Sequence, residues 1–415
     1  MPISRGYIRH TLTEDLLNFG RSIFKPSIFL RASDAQKTKL SSKICNKFDY
    51  ENIVLFPYAR SAFHAILKEI NLPKNSTILL TPITIGPMLE VIIALGHKPL
   101  FVDIELKTFC VNLDDLKKKL ETKPSCFLMT YLFGYVPEIK SITKLCKDAK
   151  VTLIEDISHN IGSLYCGRPL GSFGDFAIYS ASMLKYVDGY NGAFVATKDK
   201  SFAKRLDLEV SKYRDPDPIR IAKIIRTTLL WNFCLRRIPF SFFVYPLLWL
   251  IKRFNREKFE QILGARIKFK SVDKLPRYYF EDISSIQCET ISEQLDKLDN
   301  LINSRIQNSL TVAKVGKHVL GHELIPNYSE CSKIYHHTFW QFVVYVKDTY
   351  RTRDALFRIG IETGTTNLMN LASEVGIEMP MATILKNHYI FVPVQKNSQK
   401  SIYAKFFSIL KKTLN

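Results

Sequence analysis

At 415 residues, 46% of them hydrophobic and 24% charged, the chain is long enough for a large core and two domains. A formal net charge of +20 favours anionic partners such as nucleotide phosphates or an acidic membrane surface. The lysines are nevertheless spread out, and no zinc-finger, RNP or basic-zipper pattern occurs, so nucleic acid is not an expected partner. Eight cysteines without a CxxC pair, and a polar, basic N-terminus unlike a secretory leader, point to reduced thiols in a cytoplasmic setting. No metal site is expected.

Residues 1–50 read as an N-terminal extension. A short amphipathic element is expected over 16–24 and a polar loop over 32–47. Such an arm packs on a partner subunit or on the large domain, or else touches a membrane. From 51 onwards, strands and helices alternate. Residues 53–56 form an apolar run, and Tyr58-Ala59-Arg60-Ser61-Ala62-Phe63 then opens a helix reaching about Ile70. A helix N-terminus offers free N–H groups, a natural phosphate cradle, to which Arg60 adds charge. A plain surface cap fits the same residues. Further strands are expected at 76–82, 99–104 and 126–131, with helices at 88–95, 112–120 and 139–149. Asn112 is a fitting cap for the second of these helices. Buried strands alternating with helices predict an α/β fold with a mostly parallel sheet covered on both faces.

The next stretch carries the chemistry. Residues 151–156 are a short apolar run ending in Glu155 and Asp156, and 176–180 are a second, ending in Ser180. Lys185 follows five residues later. Open α/β sheets place their chemistry at the carboxyl ends of strands. An acid at one strand end and a lysine just past another is the arrangement that pyridoxal 5'-phosphate (PLP) needs. The lysine holds the cofactor as a Schiff base and the acid pairs with the pyridine nitrogen. By spacing alone, Asp156 also fits a helix-capping acid and Lys185 a solvated loop lysine.

Taken in order, the motifs resemble the DegT/DnrJ/EryC1/StrS family of PLP-dependent sugar aminotransferases, well over about 50–210 and loosely in the C-terminal third. Besides Tyr58-Ala59-Arg60, they include Gly96-His97-Lys98-Pro99-Leu100-Phe101-Val102-Asp103, Tyr131-Leu132-Phe133-Gly134 and Glu155-Asp156-Ile157-Ser158-His159. The run from Gly167 to Asp175, Ser180 through Lys185, and Gly189-Tyr190-Asn191-Gly192 complete them. The resemblance implies PLP fold type I, with a large domain over 51–270 and a smaller α+β C-terminal domain over 271–415. It implies that Lys185 is both the cofactor's anchor and a catalytic proton shuttle. Asp156 would bind the ring nitrogen, His159 would lie beside the ring, and Ser180, Ala59 and Arg60 would hold the phosphate. Some relatives that remove a hydroxyl carry histidine in place of this lysine, so Lys185 favours transamination. The sequence departs from the pattern at Ala59, Ile85, Tyr190 and Asn191 and over Pro87-Met88-Leu89-Glu90. The cofactor pocket thus looks kept and the substrate pocket changed.

An insert at 219–256 is apolar and edged with Arg and Lys. Its longest uncharged run, 238–251, is 14 residues, too short to span a bilayer comfortably. Three readings fit: a helical hairpin resting on a membrane surface, a buried helix pair covering the active-site entrance or a dimer interface, or a pocket for a lipid-linked substrate. Beyond it, a long helix is expected over 283–315, a strand over 338–346, a helix over 351–359, a late strand over 388–394 and a basic C-terminal helix.

The functional expectation is transfer of an amino group from an amino acid, glutamate for choice, to a nucleotide-linked keto-sugar in surface polysaccharide or lipopolysaccharide synthesis. The family works as homodimers, so a cytoplasmic homodimer is expected, with peripheral contact at the inner membrane face through 219–256 as an option. The alternatives are a PLP enzyme acting on a lipid-bearing or other non-nucleotide keto substrate, and a non-catalytic membrane-associated homologue.

Overall fold

A computed structural model describes residues 1–6, 8–263, 269, 274–325, 333–394 and 400–414. Its centre is a seven-stranded sheet built from β1 (Asn52–Phe56), β2 (Thr77–Leu80), β3 (Lys98–Phe101), β4 (Cys126–Thr130), β5 (Thr152–Asp156), β6 (Phe176–Ser180) and β7 (Ala193–Thr197), in the spatial order β1-β7-β6-β5-β4-β2-β3. The pairs β2–β3, β2–β4, β4–β5 and β5–β6 are parallel, whereas β7 runs antiparallel to both β1 and β6. Successive side chains along these strands enter opposite cores. Val54, Ile78, Leu128, Ile154 and Ile178 enter one, and Leu55, Leu79, Phe127, Leu153 and Ala177 enter the other. Burial on both faces is why the strands read as continuous apolar runs rather than as alternating ones.

Six helices matter for the site: α1 (Leu12–Phe24), α2 (Asp34–Phe48), α3 (Ala59–Ile70), α4 (Pro218–Cys234), α5 (Tyr245–Phe254) and α6 (Ser285–Leu320). The expected loop over 32–47 is instead α2. Ser33 and Gln36 form a capping box, and Leu40, Ile44 and Phe48, spaced four apart, are buried. Three apolar residues at helical spacing outweigh the polar composition. Asn112 caps its helix as expected, accepting from the Asp114 and Asp115 N–H groups at 3.0 Å each.

The smaller C-terminal domain joins α6, the antiparallel strands Phe342–Tyr345 and Tyr389–Val392, and the helices Thr349–Arg358 and Lys400–Leu414. The strand expected over 338–346 begins only at Phe342. Residues before it are diverted to the large domain, with the Thr338 N–H donating to the Gly134 carbonyl at 2.9 Å and the Gln341 N–H to that of Phe133 at 3.0 Å. The expected domain boundary at 270–271 lies outside the described residues.

Candidate active site

The sheet's topology gathers the site. Strands β5 and β6 end at Asp156 and Ser180, and β1 points the same way, because β7 pairs antiparallel with both β6 and β1. The α3 N-terminus, Asp156, Ser180 and the 181–192 loop therefore share one sheet edge.

The adjacent acids at the end of β5 do different work. Glu155 is fully buried and accepts from the Tyr131 hydroxyl at 2.6 Å and from the Gly171, Phe173 and Gly174 N–H groups at 2.6–2.8 Å. It clamps the glycine-rich hairpin. Asp156, pointing to the other side, accepts the Ser158 N–H at 3.0 Å and interacts electrostatically with Lys185. Burial pushes its pKa up, against the pull of Ser158, Lys185 and Thr130. The same burial lowers the Lys185 amine to about 8, although Asp156 opposes the shift. A lysine easily deprotonated near neutrality is suited to acting as a nucleophile and a base.

His159 is 2% exposed. Burial, and secondarily the charge of Lys185, hold its pKa well below the usual value, so the imidazole is neutral. Its Nδ1 accepts the Phe133 N–H at 3.3 Å, which leaves the proton on Nε2. The indole of Trp340 lies flat against this ring, with centroids 3.7 Å apart and planes 16° from parallel. The Lys185 Nζ sits 4.7 Å from the indole centroid. Trp340 is thus a site residue that sequence reasoning missed, having placed it inside a strand. No local pattern marks it, because its role depends on the detour that docks 338–341 on Gly134.

The predicted phosphate residues border a cavity of about 510 Å³, lined among others by Tyr58, Ala59, Arg60, Ser180, Ser182 and Asn191. Among the described residues no side chain caps the α3 N-terminus, which leaves its first N–H groups without a side-chain acceptor. Ser180 Oγ donates to Ser182 Oγ at 3.1 Å. The Arg60 guanidinium lies 4.4 Å from the ring centroid of Tyr58, 4.6 Å from that of Tyr279 and 5.6 Å from that of Tyr278. Its Nε is buried and has no hydrogen-bond partner among the described residues. A caged cation with an unused donor, beside an open helix N-terminus and two hydroxyls, fits a phosphate. With Asp156 and Lys185 at the same edge, the residues present fit PLP. Tyr278 and Tyr279, which follow the insert, were not singled out from the sequence; no spacing rule links them to Arg60.

Of the other motif residues, Asp103 is structural. Its carboxylate caps the helix Pro380–His388, accepting from the Met381 and Ala382 N–H groups at 3.0 Å each. Tyr190 and Asn191, where the chain departs from the family pattern, adopt left-handed conformations (φ 56° and 78°), and so does Leu184 (φ 73°) just before Lys185. Such conformations cost about 1 kcal/mol or more in non-glycine residues and persist only when their surroundings hold them. Here the Asp188 carboxylate accepts the Tyr190 and Leu184 N–H groups at 3.1 and 3.3 Å. The Tyr190 hydroxyl donates to Asp15 on α1 at 2.6 Å. His10 spans the two acids, with Nδ1 2.7 Å from Asp15 Oδ1 and Nε2 2.7 Å from the Asp188 carbonyl. Asn232 of α4 donates to Asp15 Oδ2 at 2.6 Å and to the His10 carbonyl at 3.0 Å. The N-terminal arm therefore packs on the large domain, and it ties the insert to the lysine-bearing loop.

Residues 31–211 match the model of the DegT/DnrJ/EryC1/StrS aminotransferase family. The chain is 23% identical over 198 residues to an uncharacterized protein of Methanocaldococcus jannaschii, covering 48% of each chain. It is 26% identical over 175 residues to GDP-perosamine synthase of Escherichia coli O157:H7, covering 41% of this chain and 48% of the other. The chain thus spans about half the length of these curated relatives. In fold it is similar to Helicobacter pylori PseC, an aminotransferase involved in the biosynthesis of pseudoaminic acid, with a TM-score of 0.71 at 15% identity over 100% of this chain and 99% of that one.

Proposed function

We propose that this chain, whose residues 31–211 match the model of the DegT/DnrJ/EryC1/StrS aminotransferase family, is a PLP-dependent aminotransferase that moves an amino group from glutamate to a nucleotide-linked keto-sugar for surface polysaccharide synthesis. The observation that carries the reading is the convergence of Asp156, Lys185 and the Arg60–Ser180 cradle at one edge of the sheet. GDP-perosamine synthase among the relatives, together with the excess positive charge, supports a nucleotide-sugar acceptor. A homodimer is part of the same reading.

When bound, PLP supplies an electron sink for the pair released at the substrate carbon. Asp156 would hold a proton on the pyridine nitrogen through its carboxylate. The α3 N-terminus, Arg60, Ser180 and Ser182 would bind the phosphate. Lys185 would anchor the cofactor through Nζ and, once displaced, take up and return the proton at the substrate carbon, a task suited to an amine whose pKa is lowered to about 8. The neutral His159 would offer its Nε2–H at the ring's edge, and Trp340 would keep water from the imidazole face.

The test is an absorbance spectrum of the purified protein, before and after adding glutamate. The expected result is a visible cofactor band that bleaches with glutamate and is absent in Lys185→Ala. A protein that takes up no PLP when supplied with it overturns the reading.

A further inference from the structure

The insert carries a second surface whose chemistry differs from that of the active site. On α4, Ile221, Ile225, Thr228 and Asn232 are buried, and the opposite face is left open. On α5 only Leu248 is buried. Across the C-terminal half of α4, the bend and α5, Trp231, Phe233, Ile238, Phe242, Phe243 and Leu250 project outwards, with Phe243 70% exposed. A soluble surface rarely collects so many large apolar side chains in one place. From 218 to 256 the chain holds eight Lys and Arg and no Asp or Glu. Lys223, Arg226, Arg236, Arg237 and Arg253 among these are exposed at the margins of the apolar residues.

We propose that α4, the bend and α5 form a docking face for an anionic lipid bilayer, lying in the plane of the interface with the aromatic and aliphatic side chains in the headgroup–acyl boundary. Aromatic and aliphatic residues ringed by cations are the composition of an interfacial helix, and the missing acids remove repulsion from anionic headgroups. Two-fold pairing with a second copy would set one acid-free cationic face against another. Nucleic acid would engage the cations but leave Phe242 and Phe243 in water. Among the described residues no single helix is long and apolar enough to cross a membrane. The pair Pro218–Cys234 and Arg237–Phe254, which passes on length and composition together, is bent by 68°. The inner side of the pair is committed to protein. Asn232 bonds Asp15 and His10, and the Tyr245 hydroxyl donates to the Phe357 carbonyl at 2.5 Å. A segment so anchored lies on a bilayer rather than through it. The inference stands apart from the aminotransferase reading, and its test does not use activity.

The experiment is sedimentation of the full chain with vesicles of phosphatidylglycerol and phosphatidylethanolamine, and with vesicles of phosphatidylcholine alone. The emission of Trp231 and Trp249, two of the chain's three tryptophans, is followed in parallel. The expected result is binding to the anionic vesicles, roughly tenfold or more tighter than to the neutral ones, with a blue shift in emission. Binding should be lost in the double variant Phe242→Asp/Phe243→Asp and weakened by salt and in Arg236→Glu/Arg237→Glu. These positions are exposed, so circular dichroism and Tm should match the parent. Several outcomes overturn the proposal: no binding to either vesicle, equal binding to both, or a parent dimer that Phe242→Asp/Phe243→Asp converts to monomer while vesicle binding is absent. The last would assign the face to a second copy.

Discussion

The indole of Trp340 and the imidazole of His159 stack 3.7 Å apart, although 181 positions separate them in the chain. The contact seals one face of a buried neutral histidine. Replacing Trp340 with Ala should admit water, so that the His159 pKa rises from its depressed value towards 6.5. The imidazole proton shifts, titrated by NMR, report this directly. Cofactor affinity should fall about fivefold, in line with an aromatic stack worth about 1 kcal/mol, and Trp340→Phe should keep most of it.

Lys185 carries its own pH signature. Its amine is lowered to about 8, so its condensation with pyridoxal phosphate should accelerate as pH rises through about 8, well below the ordinary 10.5. Asp156 raises this pKa by attraction. Asp156→Asn should therefore move the midpoint lower still, even as it weakens cofactor retention. Stopped-flow absorbance across pH gives both midpoints, and a midpoint near 10.5 would mean that the amine is solvated.

The arm's grip on the lysine loop should depend on pH. Burial alone would lower the His10 pKa, but Asp15 and Asp188 raise it above 6.5; Tyr190 is the other titratable group facing it. A proton bound more tightly by the folded state stabilises it below 6.5, and that stability is lost as pH rises through the folded pKa. Tm should therefore fall over the window just above 6.5. His10→Gln should flatten that dependence, and limited proteolysis should then cut within the first 30 residues.

Gly134 is the hinge of the detour that delivers Trp340. It has φ +85°, and a Cβ there would stand 2.3 Å from the Trp340 nitrogen and 2.6 Å from that of Phe339. Gly134→Ala combines left-handed strain with a backbone clash that no rotamer relieves. Urea unfolding should show a loss of about 3 kcal/mol. Tryptophan emission should shift to the red as the indole leaves His159.

Asp156, Ser180 and Lys185 are legible in the amino-acid sequence, because strand ends and a short loop place them through local spacing. So are Ala59 and Arg60, because a helix start is a local event. Cooperation among these five depends on strand order, yet the alternation of buried strands and helices already implies a sheet that brings its carboxyl ends to one edge. Tyr278 and Tyr279 are not legible in this way. They cage Arg60 from more than 200 positions away, beyond an insert of unrelated composition.

The sequence by itself determined the α/β class, the parallel core and the candidate site residues at the carboxyl ends of its strands, because two-sided burial and tight loops leave periodic and spaced marks along the chain. Only the tertiary structure decided that Trp340 covers His159 and that Tyr190, in a left-handed conformation, is held by Asp15 and Asp188. It also decided that 219–256 turns Phe242 and Phe243 outwards while Phe240 is buried. These depend on contacts between distant segments, where burial, hydrogen bonding and backbone strain are settled jointly, and such contacts leave no periodicity in either partner's own sequence.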